Sequence, residues 1–182
     1  GKLKSQVTKG RWEVTEYYGF DEKNKTVYYQ STENGSINRD VYKISLDGKN
    51  KTRLTQNLGT NSATFSQNFQ YFVSSFSSAS QPTTYTLNDS KSGKQVQVIE
   101  NNEALASKLK GYDLSQKEFF VLKTEKGNEL NAWILKPKNF DSTKKYPVLM
   151  YQYSGPGSQQ VNNEWNSHDD YWFMMLTQQG YI

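Results

Sequence analysis

An internal repeat limits what this chain can fold into more than any other feature. Val27 to Ser31 (Val-Tyr-Tyr-Gln-Ser) recurs about 44 residues later as Tyr71 to Ser75 (Tyr-Phe-Val-Ser-Ser). In the same order, Val41 to Ile44 recurs as Thr84 to Leu87, and Thr52 to Leu54 as Val96 to Val98. A fourth strand-like run precedes each set, Trp12 to Phe20 in one copy and Ala63 to Ser66 in the other. Asn34-Gly35, Asp47-Gly48 and Ser92-Gly93 supply the positive φ that tight hairpin turns need. Four antiparallel strands in roughly 40–45 residues is the period of a β-propeller blade. A sandwich of two similar sheets is the rival, but it does not explain the equal offsets. Because a ring takes about 4–8 blades, two blades are expected to be a piece of a larger protein.

Composition agrees with sheets. The hydrophobic fraction is 34%, against roughly 45–50% apolar in ordinary globular chains. Such polarity suggests disorder, yet 14% of the residues are aromatic, with 13 Tyr, 9 Phe and 4 Trp, which disordered chains lack. The reading that survives has aromatic and β-branched residues on one face of each sheet and Ser, Thr, Asn and Gln on the other. The net charge of +4 comes from interspersed signs, with only a mildly basic start at Lys2, Lys4, Lys9 and Arg11. No basic stripe exists for nucleic acid. The absence of cysteine excludes disulfides, Cys-ligated zinc and thiol catalysis. No run approaches the length of a membrane span, and the first residues carry no apolar signal core, so the chain is expected to hold neither a span nor an export signal of its own.

From Asn101 the pattern changes. Glu103 to Lys110 has good helix formers before Gly111 and reads as a short connecting helix. Glu118 to Lys123 and Glu129 to Leu135 read as a hairpin around Lys126-Gly127-Asn128, with Pro137 ending the second run. Tyr146 to Tyr153 contains the most continuous apolar stretch, which predicts a strand covered on both faces, as in a parallel α/β sheet. Ser154 to Ser158 breaks it with two Gly and one Pro. Asp169-Asp170 suit the N-terminus of a helix over Tyr171 to Leu176, and Gly180 suits its C-cap. Tyr181-Ile182 read as the start of another strand. Strand, Gly-rich loop, helix and strand are the opening of an α/β domain.

The chain contains no complete catalytic constellation. His168 is its one histidine, no Gly-x-Ser-x-Gly elbow presents a nucleophile, and His168 reads as an ordinary surface or loop residue ahead of the helix. No residue set suggests a metal or a cofactor. Tyr153 stands out instead, because it ends a strand just before a Gly/Pro turn and a helix, where open α/β sheets place their active sites. In α/β-hydrolases the loop after the third strand contributes to the oxyanion hole, and a tyrosine hydroxyl there could donate that hydrogen bond. Simple packing is the other reading of Tyr153.

Tyr153-Ser154-Gly155-Pro156, preceded by Lys144 to Pro147 and followed by Gly157-Ser158-Gln159, resembles the Tyr-small-Gly-Pro segment of the dipeptidyl peptidase IV family of serine exopeptidases. Gly10 to Val14, Asp40 to Ile44, Glu100 to Lys110 and Trp133 to Pro137 agree with the same family and keep its order. The resemblance implies an eight-bladed propeller over an α/β-hydrolase domain, in an enzyme that releases N-terminal X-Pro or X-Ala dipeptides from proline-containing peptides. Residues 1–112 would be the last two blades, and 113–182 the N-terminal part of the hydrolase domain. Tyr153 would help hold the oxyanion, with Gly155 and Pro156 positioning its loop. The family's Ser, Asp and His would lie beyond the residue matching Ile182, and its glutamate pair earlier in the propeller, so the chain alone is expected to be inactive. The resemblance also implies a parent that could be a homodimer. Lack of the cysteines of animal members points to a bacterial protein in the periplasm, at the cell surface or secreted. Open sheet edges and the apolar residues of 148–151 and 172–176 suggest self-association. A non-enzymatic propeller module or a catalytically dead relative is the alternative; among enzymes it is a prolyl oligopeptidase or acylaminoacyl peptidase.

Overall fold

A computed structural model describes residues 2–153, 155, 157–165 and 167–182, the side chains of Ser167 and His168 excepted. It is mainly β. Strands β1 (Val14–Asp21), β2 (Thr26–Ser31), β3 (Asp40–Ser45) and β4 (Thr52–Arg53) form one four-stranded antiparallel sheet in chain order. A second sheet of the same order contains β5 (Thr60–Phe65), β6 (Tyr71–Ser78), β7 (Gln81–Asp89) and β8 (Gln95–Glu100). Each sheet is a local meander, the arrangement a propeller blade requires. Gly35, Gly48 and Gly93, the turn glycines legible in the sequence, all have positive φ.

The strand period of two sorts the core. On one side of the first sheet Tyr28, Val41 and Leu54 meet Ala63 and Phe72 of the second, with Tyr18, Phe65 and Phe69 packed around them. Tyr28 stacks on Phe69 at 5.1 Å and lies 4.5 Å from Phe65. On the other side, Tyr29, Tyr42 and Ile44 are covered by Val7, Trp12 and Val27. The first sheet is therefore apolar on both faces, which departs from the expected one-sided pattern. Its second face is dry because the segment before β1 folds back and lays Trp12 parallel to Tyr29, with ring centroids 6.2 Å apart. The second sheet keeps the alternation, with Phe72, Ser74 and Phe76 of β6 buried.

Polar groups tie the sheets at one corner. Arg39 and Thr60 form an isolated parallel bridge, and Asn61 reaches the Arg39 carbonyl and the Asp40 carboxylate from its side chain at 2.9 and 3.2 Å. Arg53 pairs with Asp40 at 2.9 Å. Asp40 is only 1% exposed, and burial pushes its carboxyl above the ordinary range although Arg53 opposes the shift.

The β7–β8 turn also crosses to the first sheet. Lys43 donates to the Lys91 carbonyl, and Gly93 has φ +74° with the Leu54 carbonyl oxygen 2.5 Å from where a Cβ would lie. Both the backbone conformation and the neighbour's backbone exclude a side chain there. Gly93→Ala is expected to destabilise the chain by about 1–3 kcal/mol, read as a lower urea midpoint at unchanged m-value. An unchanged midpoint would show that this turn does not depend on the close approach.

After β8, α1 (Glu103–Leu109) leads to the hairpin of β9 (Glu118–Lys123) and β10 (Glu129–Ile134), and α2 spans Ser167–Gln178. The hairpin and both helices fall where the sequence predicts them, with β10 ending one residue early and α2 beginning four residues early, so that His168 lies within the helix. Asp169 and Asp170 occupy the first turn of α2, and Gly180 has φ +86°. Residues 146–153 correct the sequence reading: they form no strand and are not covered on both faces. Val148 is 70% and Met150 83% exposed. A strand exists through its ladder partners, and here, among the described residues, only Ile182 pairs. The Leu149 N–H donates to the Ile182 carbonyl at 2.8 Å, and the Ile182 N–H to the Pro147 carbonyl at 3.0 Å. That reciprocal pattern is a single step of parallel pairing across α2.

Candidate functional site

The parallel step, α2 and the β9–β10 hairpin surround a cavity of about 710 Å³ into which Tyr153 opens. Its walls are mostly apolar: Leu130, Trp133, Leu149, Phe173 and Leu176 among them. The Phe173 ring holds the helix in place, 5.4 Å from Trp133 on β10 and 5.4 Å from Tyr151 on the extended segment. Behind it, Lys117 and Asp170 make a buried ion pair at 2.6 Å, and the Lys117 ammonium lies 5.1 Å from the Trp133 ring centroid. Asp170 also sits at the positive end of the helix. Ser115 and Thr177 share a buried hydrogen bond at 2.7 Å. Burial, and then the Asp170 carboxylate, push the Tyr171 phenol above its ordinary value.

Tyr153 itself is 60% exposed, so it is not a core residue. Its ring lies against Gly155: a Cβ on that glycine would stand 2.5 Å from Cε1 and 2.7 Å from the hydroxyl oxygen. Any side chain at 155 would displace the tyrosine. The structure thus places Tyr153 beside Gly155, while Pro156 lies outside the described residues. The His168 side chain also lies outside them. Among the described residues no group of three or more His, Cys, Asp or Glu is placed to hold a metal, and no helix is long and apolar enough to cross a membrane. Chemically, the arrangement offers a phenol donor at the mouth of an apolar cavity beside the end of a parallel-paired segment.

What the sequence reading missed is how the following loop is seated. Residues 157–165 lie across the ends of both four-stranded sheets. The Gln159 side chain donates to the Ser36 carbonyl at 2.8 Å and accepts from Arg39 at 2.7 Å. Asn163 bonds to Ile37, Asn38, Thr60 and Ala79, and the Trp165 N–H donates to Ser77 at 3.1 Å. Ser36 and Gln159 line the same cavity as Tyr153. No local pattern pairs residues 36–39 with 159–163; the only sequence signal is a concentration of side-chain amides after a Gly/Pro turn.

Known proteins share this organisation. Residues 1–83 match the family model described as the dipeptidyl peptidase IV N-terminal region. The chain is 39% identical over 167 residues to dipeptidyl peptidase 4 of Arthroderma otae, covering 90% of this chain and 21% of that protein. The corresponding values for dipeptidyl peptidase 4 of Trichophyton rubrum are 40% over 167 residues, 90% and 21%. The crystal structure of Porphyromonas gingivalis dipeptidyl peptidase 4 superposes with a TM-score of 0.92 at 45% identity, over 98% of this chain and 25% of that one. The chain therefore spans about a fifth of the length of the curated relatives it matches.

Proposed function

Because this chain belongs to the dipeptidyl peptidase IV family, we propose that it is part of a serine exopeptidase that releases N-terminal X-Pro or X-Ala dipeptides, with Tyr153 as a donor to the oxyanion. Residues 1–112 are the last two blades of its propeller, and residues 113–182 begin its α/β-hydrolase domain. The observation that carries the reading is the position of Tyr153, at the end of a segment parallel-paired across a helix, exposed at a cavity and held by contact with Gly155.

In the reaction a serine hydroxyl, giving its proton to a general base, adds to the carbonyl carbon of the penultimate residue. The carbonyl π bond opens, and its electron pair moves onto oxygen as a tetrahedral oxyanion. The Tyr153 hydroxyl donates a hydrogen bond to that oxygen, stabilising charge that the substrate lacks before attack. Collapse re-forms the carbonyl and breaks the C–N bond, the amine leaving with the proton from the base; water, activated by the same base, then cleaves the acyl-serine ester and releases the dipeptide. Gly155 keeps the loop in place around the tyrosine, a role that the family resemblance also gives to Pro156. The nucleophile and its base are supplied by chain outside residues 1–182, so these residues alone are inactive.

Family membership does not favour the reading as a non-enzymatic module. We place the parent in the periplasm, at the cell surface or outside the cell, and its exposed residues Val148, Met150 and Trp172 give the isolated chain a route to self-association. The test compares hydrolysis of a Gly-Pro anilide by the full-length protein and by residues 1–182. Turnover sensitive to diisopropyl fluorophosphate is expected from the full-length protein, and none from the shorter chain. Sensitive turnover by the shorter chain, or none by the full-length protein, would overturn the proposal.

A further inference from the structure

We infer that Asn163 is a positioning residue for Tyr153, locking the loop that follows it onto the seam between the two four-stranded sheets. The inference rests on the reading of Tyr153 as an oxyanion donor. Asn163 uses both of its backbone polar groups and both side-chain amide atoms, and it divides them between the sheets. Toward the β2–β3 connection, its N–H donates to the Ile37 carbonyl at 2.8 Å and its Nδ2 to Asn38 Oδ1 at 3.1 Å. Toward the second sheet, its carbonyl accepts from Thr60 Oγ1 at 3.1 Å and its Oδ1 from the Ala79 N–H at 3.0 Å. Thr60 begins β5 and Ala79 lies in the β6–β7 turn. The side chain must offer one donor and one acceptor at the reach of Asn. Asp lacks the donor, Gln is one methylene longer, and Ala lacks both.

The docked loop is connected to Tyr153 through described contacts. Gln159 bonds to Ser36 and Arg39, Gln160 donates to Ser158 at 2.9 Å and accepts from the Tyr151 hydroxyl at 3.0 Å, and the Ser158 N–H donates to the Gly155 carbonyl at 3.3 Å. Gly155 then touches the Tyr153 ring. Within residues 1–182 Tyr153 is mostly exposed, so among the described contacts it is the loop's anchor that fixes where the hydroxyl stands. A catalytic group displaced by about 1 Å can lose 10²-fold in rate. Through this anchor, the orientation of the two sheets relative to each other reaches the oxyanion position.

The test is a mutant cycle in the full-length protein, with a Gly-Pro anilide as substrate. Asn163→Ala is expected to lower kcat about tenfold or more while KM stays within about threefold. In a Tyr153→Phe background the same substitution is expected to cost no further kcat, because the group it positions is already gone. Asn163→Asp, which keeps the acceptor for Ala79, should fall between Asn163→Ala and the parent. Unchanged kcat in Asn163→Ala, or an equal loss in both backgrounds, would overturn the inference. An undiminished kcat in Tyr153→Phe alone would instead remove the reading of Tyr153, and the inference with it. If Asn163→Ala does not fold, Gln159→Ala keeps the four Asn163 bonds and carries the cycle. A smaller loss that vanishes in the Tyr153→Phe background is expected, and an additive loss or none would overturn the inference.

Discussion

Tyr153→Phe in the full-length protein is expected to lower kcat by about 10²–10³-fold, the usual effect of deleting one oxyanion donor. The substitution removes one oxygen and leaves the ring. Its contact with Gly155 therefore persists, and the loop keeps its shape. At 60% exposure the lost hydroxyl leaves no buried partner behind, so stability should change by no more than about 0.5 kcal/mol. KM should move little, because the hydrogen bond strengthens only as charge develops on the carbonyl oxygen. Parallel losses in stability and in kcat would mean that the tyrosine serves the fold rather than the reaction.

Phe72→Ala is the largest stability effect expected, about 3–5 kcal/mol. Phe72 is 1% exposed and lies where the two sheets meet, with its ring 5.1 Å from Phe65 and in one cluster with Tyr28, Val41 and Leu54. Truncation removes the whole ring from a contact between sheets that strand hydrogen bonds cannot draw closer, so the cavity stays open. Urea unfolding of residues 1–182 checks it. A loss below about 1 kcal/mol would show that the sheets do not share a core. The comparison residue is Tyr71, next to Phe72 but 44% exposed, where truncation to alanine should cost far less.

Both sheets were legible because their signals are local. Asn34-Gly35, Asp47-Gly48 and Ser92-Gly93 set the hairpins, and runs such as Tyr71 to Ser75 alternate with the strand period. Even so, the fold-back of Trp12 over Tyr29 left no trace in the repeat, because it depends on a segment outside the strands. Residues 146–153 mark the opposite failure. Continuous apolarity predicts burial on both faces, but pairing and burial require partners that periodicity does not reveal. At the site, Tyr153 and Gly155 were singled out by the resemblance of residues 153–156 to a family segment. The seating of Gln159 and Asn163 on residues 36–38, 60 and 79 was not legible, because amide contacts over such sequence distances have no pattern of their own.

The most direct test of Tyr153 uses a peptidyl boronic acid with proline at the reacting position, whose tetrahedral adduct with serine carries an oxygen where the oxyanion would stand. Its inhibition constant and the substrate KM are measured on the full-length protein and on Tyr153→Phe. If Tyr153 donates to the oxyanion, the boronate should bind about 10²-fold more weakly to the variant while KM stays within about threefold. Equal changes in the two constants, or no change in either, would contradict that role.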